Sequence, residues 1–307
     1  MTTPQLPAGM PRKRLGKTGC EVSQLSYGSM GLRGPKTWGV RVVEEADAEQ
    51  ILHAVLDAGM NLIDTAPDYG ISEVRIGRYL HARRAEFLLA TKCGCDPVQH
   101  EDHLEVKHLW TKEVIQRNVE QSLTRLRTDT IDILQFHGGD AETLQRMGLI
   151  EQLLDLKRQR IIRFLGVSTS LPDVDDLIRL GVFDLFQLPY SCLAPEHHAW
   201  ITAAAESGAG IILRGGIAQG GPQAEIQRPL LNDIWNRAKL AELLPQGTKP
   251  AELILRFTLS HPHCHTIIVG TCNLAHLAEN VAAAQQGPLP HALYQEIQSR
   301  VAELLSC

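Results

Sequence analysis

Residues 56–77 read LDAGMNLIDTAPDYGISEVRIG, and the architecture can be worked out from this stretch. Just upstream, Glu45 to Ala58 carries Ile51, Val55 and Leu56 at helical spacing, and Gly59 supplies the stop, so an amphipathic helix ends here. Asn61 to Thr65 follows as an apolar run of strand length. Asp64 closes that run, and Tyr69 lies in the loop beyond it. A helix, a glycine, an apolar strand and then a loop loaded with polar groups is the repeating unit of parallel α/β folds.

Working outward, apolar runs of similar length recur at Leu25 to Gly28, Phe87 to Thr91, Ile131 to Phe136, Arg163 to Val167, Leu185 to Leu188, Gly210 to Leu213 and Thr266 to Val269, eight with the first. FLLATK, IDILQF and TIIVG are near-continuous rather than alternating, as expected of strands covered on both faces. Helical patterns lie between them. Thr111 to Arg125 repeats Val114, Val119 and Leu123, while LPDVDDLIRLG and NLAHLAENVAAA offer Asp173 and Asn273 as N-caps. No linker, low-complexity tract or sequence repeat divides the chain, so residues 1–307 are expected to form a single (β/α)8 TIM barrel domain. Two stretches stand outside the alternation. Lys13 to Val22 reads as an N-terminal β-hairpin turning at Gly16-Lys17-Thr18-Gly19, and Gly215 to Gly247, after the seventh strand, reads as an inserted loop with an extra helix near Asn232 to Leu244.

Composition narrows the function. With 44% apolar residues, a net charge of −5 and no basic run longer than Arg12-Lys13-Arg14, the chain has no electrostatic footprint for nucleic acid. It has neither an apolar run of the roughly 18–20 residues that span a bilayer nor an apolar signal region at Met1-Thr2-Thr3-Pro4, so a cytoplasmic protein without a membrane partner is expected. The seven cysteines, Cys20, Cys93, Cys95, Cys192, Cys264, Cys272 and Cys307, are odd in number and scattered, as expected of reduced thiols. Cys93-Gly94-Cys95 has one spacer residue, which matches neither a redox pair nor the usual zinc spacing. His100, His103 and His108, and separately His261, His263 and His265, read as incidental groups, and no metal is expected.

The candidate chemistry lies at the strand ends. Asp64, Tyr69, Lys92 and His137 all fall at or just after successive strands, whose carboxyl ends meet on one face of a closed parallel barrel. A tyrosine, with an ordinary pKa of about 10, gives up its proton near neutrality only if its phenolate is stabilised, which a buried ammonium can do. Each residue alone has a structural explanation: an ion pair inside the barrel, a tyrosine covering a helix end, a satisfied core histidine. All four at strand ends make a shared site the better one.

The segments 15–32 (LGKTGCEVSQLSYGSMGL), 56–77, 87–92 (FLLATK), 122–137 (SLTRLRTDTIDILQFH) and 165–170 (LGVSTS) together closely resemble the aldo-keto reductase family, with a likeness running from about Arg12 to Ala284. The resemblance implies a (β/α)8 barrel with NADPH extended across its carboxyl face and a tetrad at Asp64, Tyr69, Lys92 and His137. It implies NAD(P)H-dependent reduction of a small-molecule aldehyde or ketone, or oxidation of the alcohol. By that resemblance hydride would pass from the nicotinamide and Tyr69 would protonate the alkoxide, while Lys92 would lower the tyrosine pKa, Asp64 would hold Lys92 and His137 would orient the carbonyl oxygen. Two other activities are compatible with the family: net non-redox chemistry on a sugar through transient oxidation, and cofactor binding without turnover, as in its channel-associated members.

The resemblance also implies cofactor contacts at Gly28, Ser29, Met30 and Asp64, at Ser168 and Thr169 where the family usually has Ser-Asn, and at Gln187. Ser168 and Thr169 are alternatively caps of a helix from Leu171 to Leu180. In GAGIILRGGIAQGG (208–221), Arg214 stands where many relatives stack a tyrosine under the nicotinamide, and Gly215 and Gly216 either admit the pyrophosphate or only begin a flexible loop. Gly270, Thr271, Asn273, His276, Glu279 and Asn280 occupy the adenosine end. Relatives strict for NADPH often carry Lys and Arg at Gly270 and His276, so NADH is an alternative cofactor. The pocket is expected from the loops Arg33 to Val43, Cys95 to Trp110 and Gly138 to Leu144 and from the insertion after Arg214, with Trp38 and Trp110 as aromatic lining. After Ala284 the one helical pattern is His291 to Leu305, without the long C-terminal loop of the family's steroid-handling members, so a more open pocket is expected.

Overall fold

The eight apolar runs become the eight parallel strands of one closed barrel. The structure is a computed structural model, and it describes residues 9–37, 42–223 and 229–305. Trp38 and Cys307 lie outside the described residues.

A hairpin of β1 (Arg12–Arg14) and β2 (Glu21–Ser23) precedes the barrel strands β3 (Leu25–Gly28), β4 (Leu62–Asp64) and β5 (Leu88–Cys93). A second small hairpin, β6 (Val98–Gln99) and β7 (Leu104–Glu105), interrupts the barrel order. The barrel resumes with β8 (Ile131–His137), β9 (Ile162–Ser168), β10 (Leu185–Pro189), β11 (Gly210–Arg214) and β12 (Thr266–Val269). β12 pairs back onto β3, with Val269 opposite Tyr27, and so closes the ring. Several strands outrun the apolar segments that announce them. β5 continues through Lys92 to Cys93, β8 takes in His137, β9 takes in Ser168 and β11 takes in Arg214. Backbone pairing persists where apolarity stops, because neighbouring strands satisfy the ladder whatever the side chain: Lys92 faces Gln135, and His137 faces Ser168.

The helices that follow the strands are α1 (Glu45–Asp57), α2 (Ser72–Leu80), α3 (Lys112–Leu126), α4 (Ala141–Arg146), α5 (Leu149–Arg158), α6 (Val174–Arg179), α7 (His198–Glu206), α8 (Pro229–Arg237), α9 (Pro250–Leu259), α10 (Leu274–Gln285) and α11 (His291–Leu305). Among the described residues none is long and apolar enough to cross a membrane. Asn273 caps α10, its Oδ1 accepting from Ala275 N at 2.8 Å, as the sequence predicts. Asp173 does not cap α6: its backbone is already helical and its side chain makes no cap bond. Ser168 and Thr169 are not caps either, because Thr169 N still donates to Gln187 O in the strand ladder and the helix begins only at Val174. The extra helix lies earlier than expected, since Lys239, with φ of +51°, ends the helical run and leaves Leu240–Leu243 as a separate 3-10 turn.

Two apolar layers hold these elements. Inside the barrel, Leu62, Ala90, Ile133, Leu185 and Ile212 form a cluster that Leu15 and Val22 of the hairpin plug from the amino end. The plug requires glycine at Gly16, because a Cβ there would lie 2.4 Å from Gly210 N. Outside, residues such as Ile63, Leu89, Leu134 and Leu165 face helix residues including Ile51, Val55, Val119 and Leu153. With the amino end filled, the carboxyl end is the face open to a site.

Candidate active site

β4 ends on Asp64, β5 carries Lys92, β8 ends on His137, and Tyr69 lies in the short loop from β4 to α2. The parallel register therefore brings all four to the carboxyl face. Lys92 Nζ meets Asp64 Oδ2 at 2.8 Å and Thr65 O at 2.8 Å, with the lysine side chain 1% exposed. The other carboxylate oxygen, Asp64 Oδ1, accepts from Gln135 Nε2 at 2.7 Å and from Gln187 Nε2 at 2.9 Å. Gln187 Nε2 also reaches Gln135 Oε1 at 2.9 Å, and Ser168 Oγ donates to Gln187 Oε1 at 3.1 Å. A polar network thus crosses the barrel through β4, β5, β8, β9 and β10. Both Asp64 oxygens are satisfied, which is the condition for keeping an ion pair at such depth.

Burial works against the Lys92 ammonium, but Asp64, Tyr69 and Asp68 outweigh it, and the lysine pKa stands above its ordinary value. That ammonium sits 4.8 Å from the centre of the Tyr69 ring. Burial pushes the Tyr69 hydroxyl up; Lys92 pulls it down, while Asp64 and Asp68 push it up again, and the net direction is upward. Lys92 therefore acts with the expected sign but does not bring the tyrosine below its ordinary value, because two carboxylates and the loss of water stand against it. At neutral pH Tyr69 holds its proton. His137 falls to about 3, through burial first and Lys92 second with Asp68 opposing, so the imidazole is neutral. The site thus offers one protonated phenol, one neutral imidazole and one fixed ammonium–carboxylate pair, a set that can donate a proton and hydrogen bonds to an oxygen developing negative charge.

The loop from β5 to α3 packs on this site. Asn118 of α3 clamps it, Oδ1 accepting from Gly94 N at 2.9 Å and Cys95 N at 3.0 Å while Nδ2 donates to Cys95 O. Trp110 donates from Nε1 to His137 O at 3.1 Å and tilts against Phe136, which packs the loop onto β8. On the other side of His137, Nδ1 lies 3.2 Å from Cys95 Sγ, 3.1 Å from His108 Nε2 and 3.6 Å from Asp68 Oδ2. Asp68 is 2% exposed and its Oδ1 has no hydrogen-bond partner.

The expected cofactor residues divide by what they already hold. Gly28 ends β3 opposite Asp64. Ser29 is buried and committed, its hydroxyl donating to Asp64 O at 2.9 Å and receiving Ser72 Oγ at 2.7 Å, whereas Met30 is exposed. Ser168, Thr169 and Gln187 line the ends of β9 and β10. Arg214 ends β11, donates to Thr169 O at 3.3 Å and keeps a buried Nε without a partner. Burial lowers its pKa, opposed by the charges of Tyr69 and Asp64. Gly215, with φ of +71°, faces open space. Gly216 is a packing residue, since a Cβ there would lie 2.5 Å from Ile267 Cγ2, and Thr258 Oγ1 donates to its carbonyl. At the other end, Gly270 and Thr271 lead into Asn273, whose Oδ1 also takes His276 N at 3.3 Å, so part of the α10 amide start is already used. His276 and Glu279 are exposed and Asn280 is buried.

Three residues escape the sequence reading. Gln135 shares Asp64 with Gln187, and an amide in the apolar run IDILQF carries the same signal as the one in LFQLPY. Lys249 pairs with Glu279 at 2.6 Å and brings a cation from the N-cap of α9 to α10. Asp68, next to Tyr69, faces His108 and His137.

The sequence profile of the Aldo/keto reductase family matches residues 24–302. The chain is 26% identical to the Bacillus subtilis uncharacterized oxidoreductase YqkF, over 94% of this chain and 96% of that one, and 28% identical to Arabidopsis thaliana L-galactose dehydrogenase, over 89% and 88%. The holo form of aldo-keto reductase AKR11C1 from Bacillus halodurans superposes with a TM-score of 0.83 at 30% identity, covering 95% of this chain and 96% of that one. With the barrel, the strand-end site and these likenesses in agreement, the chain belongs to the aldo-keto reductase family of oxidoreductases.

Proposed function

We propose that the protein reduces aldehyde or ketone groups of a small molecule to alcohols, and runs the reverse, with Tyr69 as proton donor and a nicotinamide dinucleotide as cofactor. The observation that carries the reading is the Lys92–Asp64 pair, dry and fully hydrogen-bonded, with the Tyr69 ring against the ammonium. The bound cofactor supplies hydride, and every other part of the step falls to the protein. Tyr69 holds its proton until an alkoxide forms; Lys92 then stabilises the phenolate left behind, and Asp64, fixed by Gln135 and Gln187, keeps Lys92 in place. His137, neutral, donates a hydrogen bond to the carbonyl oxygen and orients it.

The residues present fit a dinucleotide. Arg214 places a buried, unpartnered Nε at the end of β11 beside the open Gly215, where a phosphate or a ring face can use it. NADPH is the proposed cofactor. The resemblance favours it, and Lys249, beside Glu279 on α10, supplies a cation that Gly270 and His276 do not. The test follows absorbance at the reduced nicotinamide band with a panel of aldehydes and aldoses that includes L-galactose, the sugar in one relative's name. Steady oxidation supports the proposal; cofactor retained with product but no net redox change contradicts it. Dissociation constants for NADPH and NADH decide the cofactor, and a preference for NADH overturns that part.

A further inference from the structure

Asp68 from the β4–α2 loop, Cys95 after β5, His108 after β7 and His137 at the end of β8 turn one potential ligand atom each toward a common centre, all within 4.8 Å of one another. The separations are 3.1 Å from His108 Nε2 to His137 Nδ1, 3.2 Å from Cys95 Sγ to His137 Nδ1, 3.5 Å from His108 Nε2 to Asp68 Oδ2 and 3.6 Å from His137 Nδ1 to Asp68 Oδ2. Ligands at about 2.0 Å for nitrogen and oxygen and about 2.3 Å for sulfur around a tetrahedral zinc ion stand roughly 3.3 to 3.5 Å apart. The side chains therefore already approach the edges of that tetrahedron.

Hydrogen bonds alone account poorly for the arrangement. Nδ1 of His137 has one in-plane lone pair or one proton, yet it is met by both Cys95 Sγ and His108 Nε2. Asp68 Oδ1 is buried with no partner, in a carboxylate that is 2% exposed. Stranding a buried polar oxygen costs about 1–3 kcal/mol, more for a charged group. A cation in the centre takes the imidazole lone pairs that crowd His137 Nδ1 and, bound through Asp68 Oδ2, offsets the buried carboxylate charge. The backbone that presents the ligands is braced independently: Cys95 and His108 face each other in a β-bridge, Asn118 holds Cys95, and Trp110 holds the His137 carbonyl. Little ordering is then left for the ion to impose.

We propose that Asp68, Cys95, His108 and His137 bind one zinc ion beside the tetrad. One thiolate, two imidazoles and one carboxylate form a borderline-soft set suited to zinc, whereas magnesium and calcium take oxygen ligands. Four protein ligands close the coordination, so the ion positions His137 and does not polarise a substrate. With Nδ1 on the metal, the imidazole proton sits on Nε2 and the ring is fixed. On binding, the Cys95 S–H bond breaks, the sulfur joins the ion and the proton passes to buffer. Zinc binding stands independently of the reductase reading; only the consequence for His137 rests on it.

The experiment uses the untagged full chain, stripped with a chelator. Zinc is titrated by calorimetry in two buffers of different ionisation enthalpy, and cobalt(II) replaces it as the optical probe. Expected are one ion per chain, proton release to buffer and a four-coordinate cobalt spectrum with a sulfur charge-transfer band. The band disappears in Cys95→Ser, and affinity drops by more than about tenfold in His108→Ala, whose exposed side chain leaves the core intact. Less than one ion per chain, a six-coordinate spectrum without the sulfur band, or equal affinity in both variants overturns the proposal. None of these readouts involves turnover, so failure here leaves the carbonyl-reductase proposal standing.

Discussion

Replacing Lys92 by methionine keeps most of the side-chain volume and removes the charge. Asp64 would then remain 3% exposed, with Gln135 and Gln187 still bonded to Oδ1 but nothing on Oδ2. Thr65 O would lose its ammonium donor as well. Breaking a buried pair by removing one partner costs about 3–5 kcal/mol, since the remaining charge is uncompensated, and the depth of this pair places Lys92→Met in that range. Asp64→Asn on the same background removes the stranded charge while leaving an oxygen for the glutamine donors, so the double variant should recover more than half of the loss. Chemical denaturation of wild type, both single variants and the double variant at pH 7 measures the four free energies of the cycle. A Lys92→Met variant within about 0.5 kcal/mol of wild type, or a double variant no more stable than that single one, would refute the account of the pair as a dry, mutually dependent unit.

Further expectations follow from other residues. Lys249→Ala should weaken NADPH by about tenfold and leave NADH nearly unchanged, because only the 2′-phosphate needs the cation; equal losses for the two cofactors would remove Lys249 from that role. Gly216→Ala should destabilise the fold by about 1–3 kcal/mol, as its Cβ drives into Ile267 on β12, and a melting temperature equal to wild type would contradict the packing reading. His261 and His265 are each lowered to about 4, by burial first, with the charges of His263 and Lys13 adding to both and that of His198 adding at His261. Their folded values lie below the unfolded one near 6.5, so the unfolded chain binds more protons in between; stability is full above about pH 6.5 and falls as pH drops toward 4. His261 contributes up to about 3 kcal/mol of that slope. Denaturation at pH 4 and 7 should show the loss, and an identical slope in His261→Gln would dismiss the assignment.

Much of the barrel was legible because its strands are covered on both faces and so read as unbroken apolar runs. The boundaries were less so: Lys92, His137, Ser168 and Arg214 belong to strands by backbone pairing although their side chains interrupt the apolar pattern. For the same reason these strand ends attracted attention as a site, which is how Asp64, Lys92 and His137 could be grouped before any contact was known. Gln187 stood out as an amide in an apolar run; Gln135 sent the same signal and only its shared bond to Asp64 reveals its part. Other features depend on proximity that spacing does not encode. His108 parts company with His100 and His103 because a β-bridge sets it opposite Cys95, and the Lys249–Glu279 pair joins the N-cap of α9 to the middle of α10. Asp173 failed as a cap because the backbone there is already helical, a fact of φ and ψ that residue type does not disclose.

The central claim is that Tyr69 delivers the proton. Steady-state oxidation of reduced cofactor by an aldehyde substrate, measured for wild type and Tyr69→Phe beside the cofactor dissociation constant of each, tests it most directly. The account predicts turnover reduced by about 10²–10⁴-fold with cofactor affinity nearly unchanged. Full residual turnover in Tyr69→Phe would contradict it.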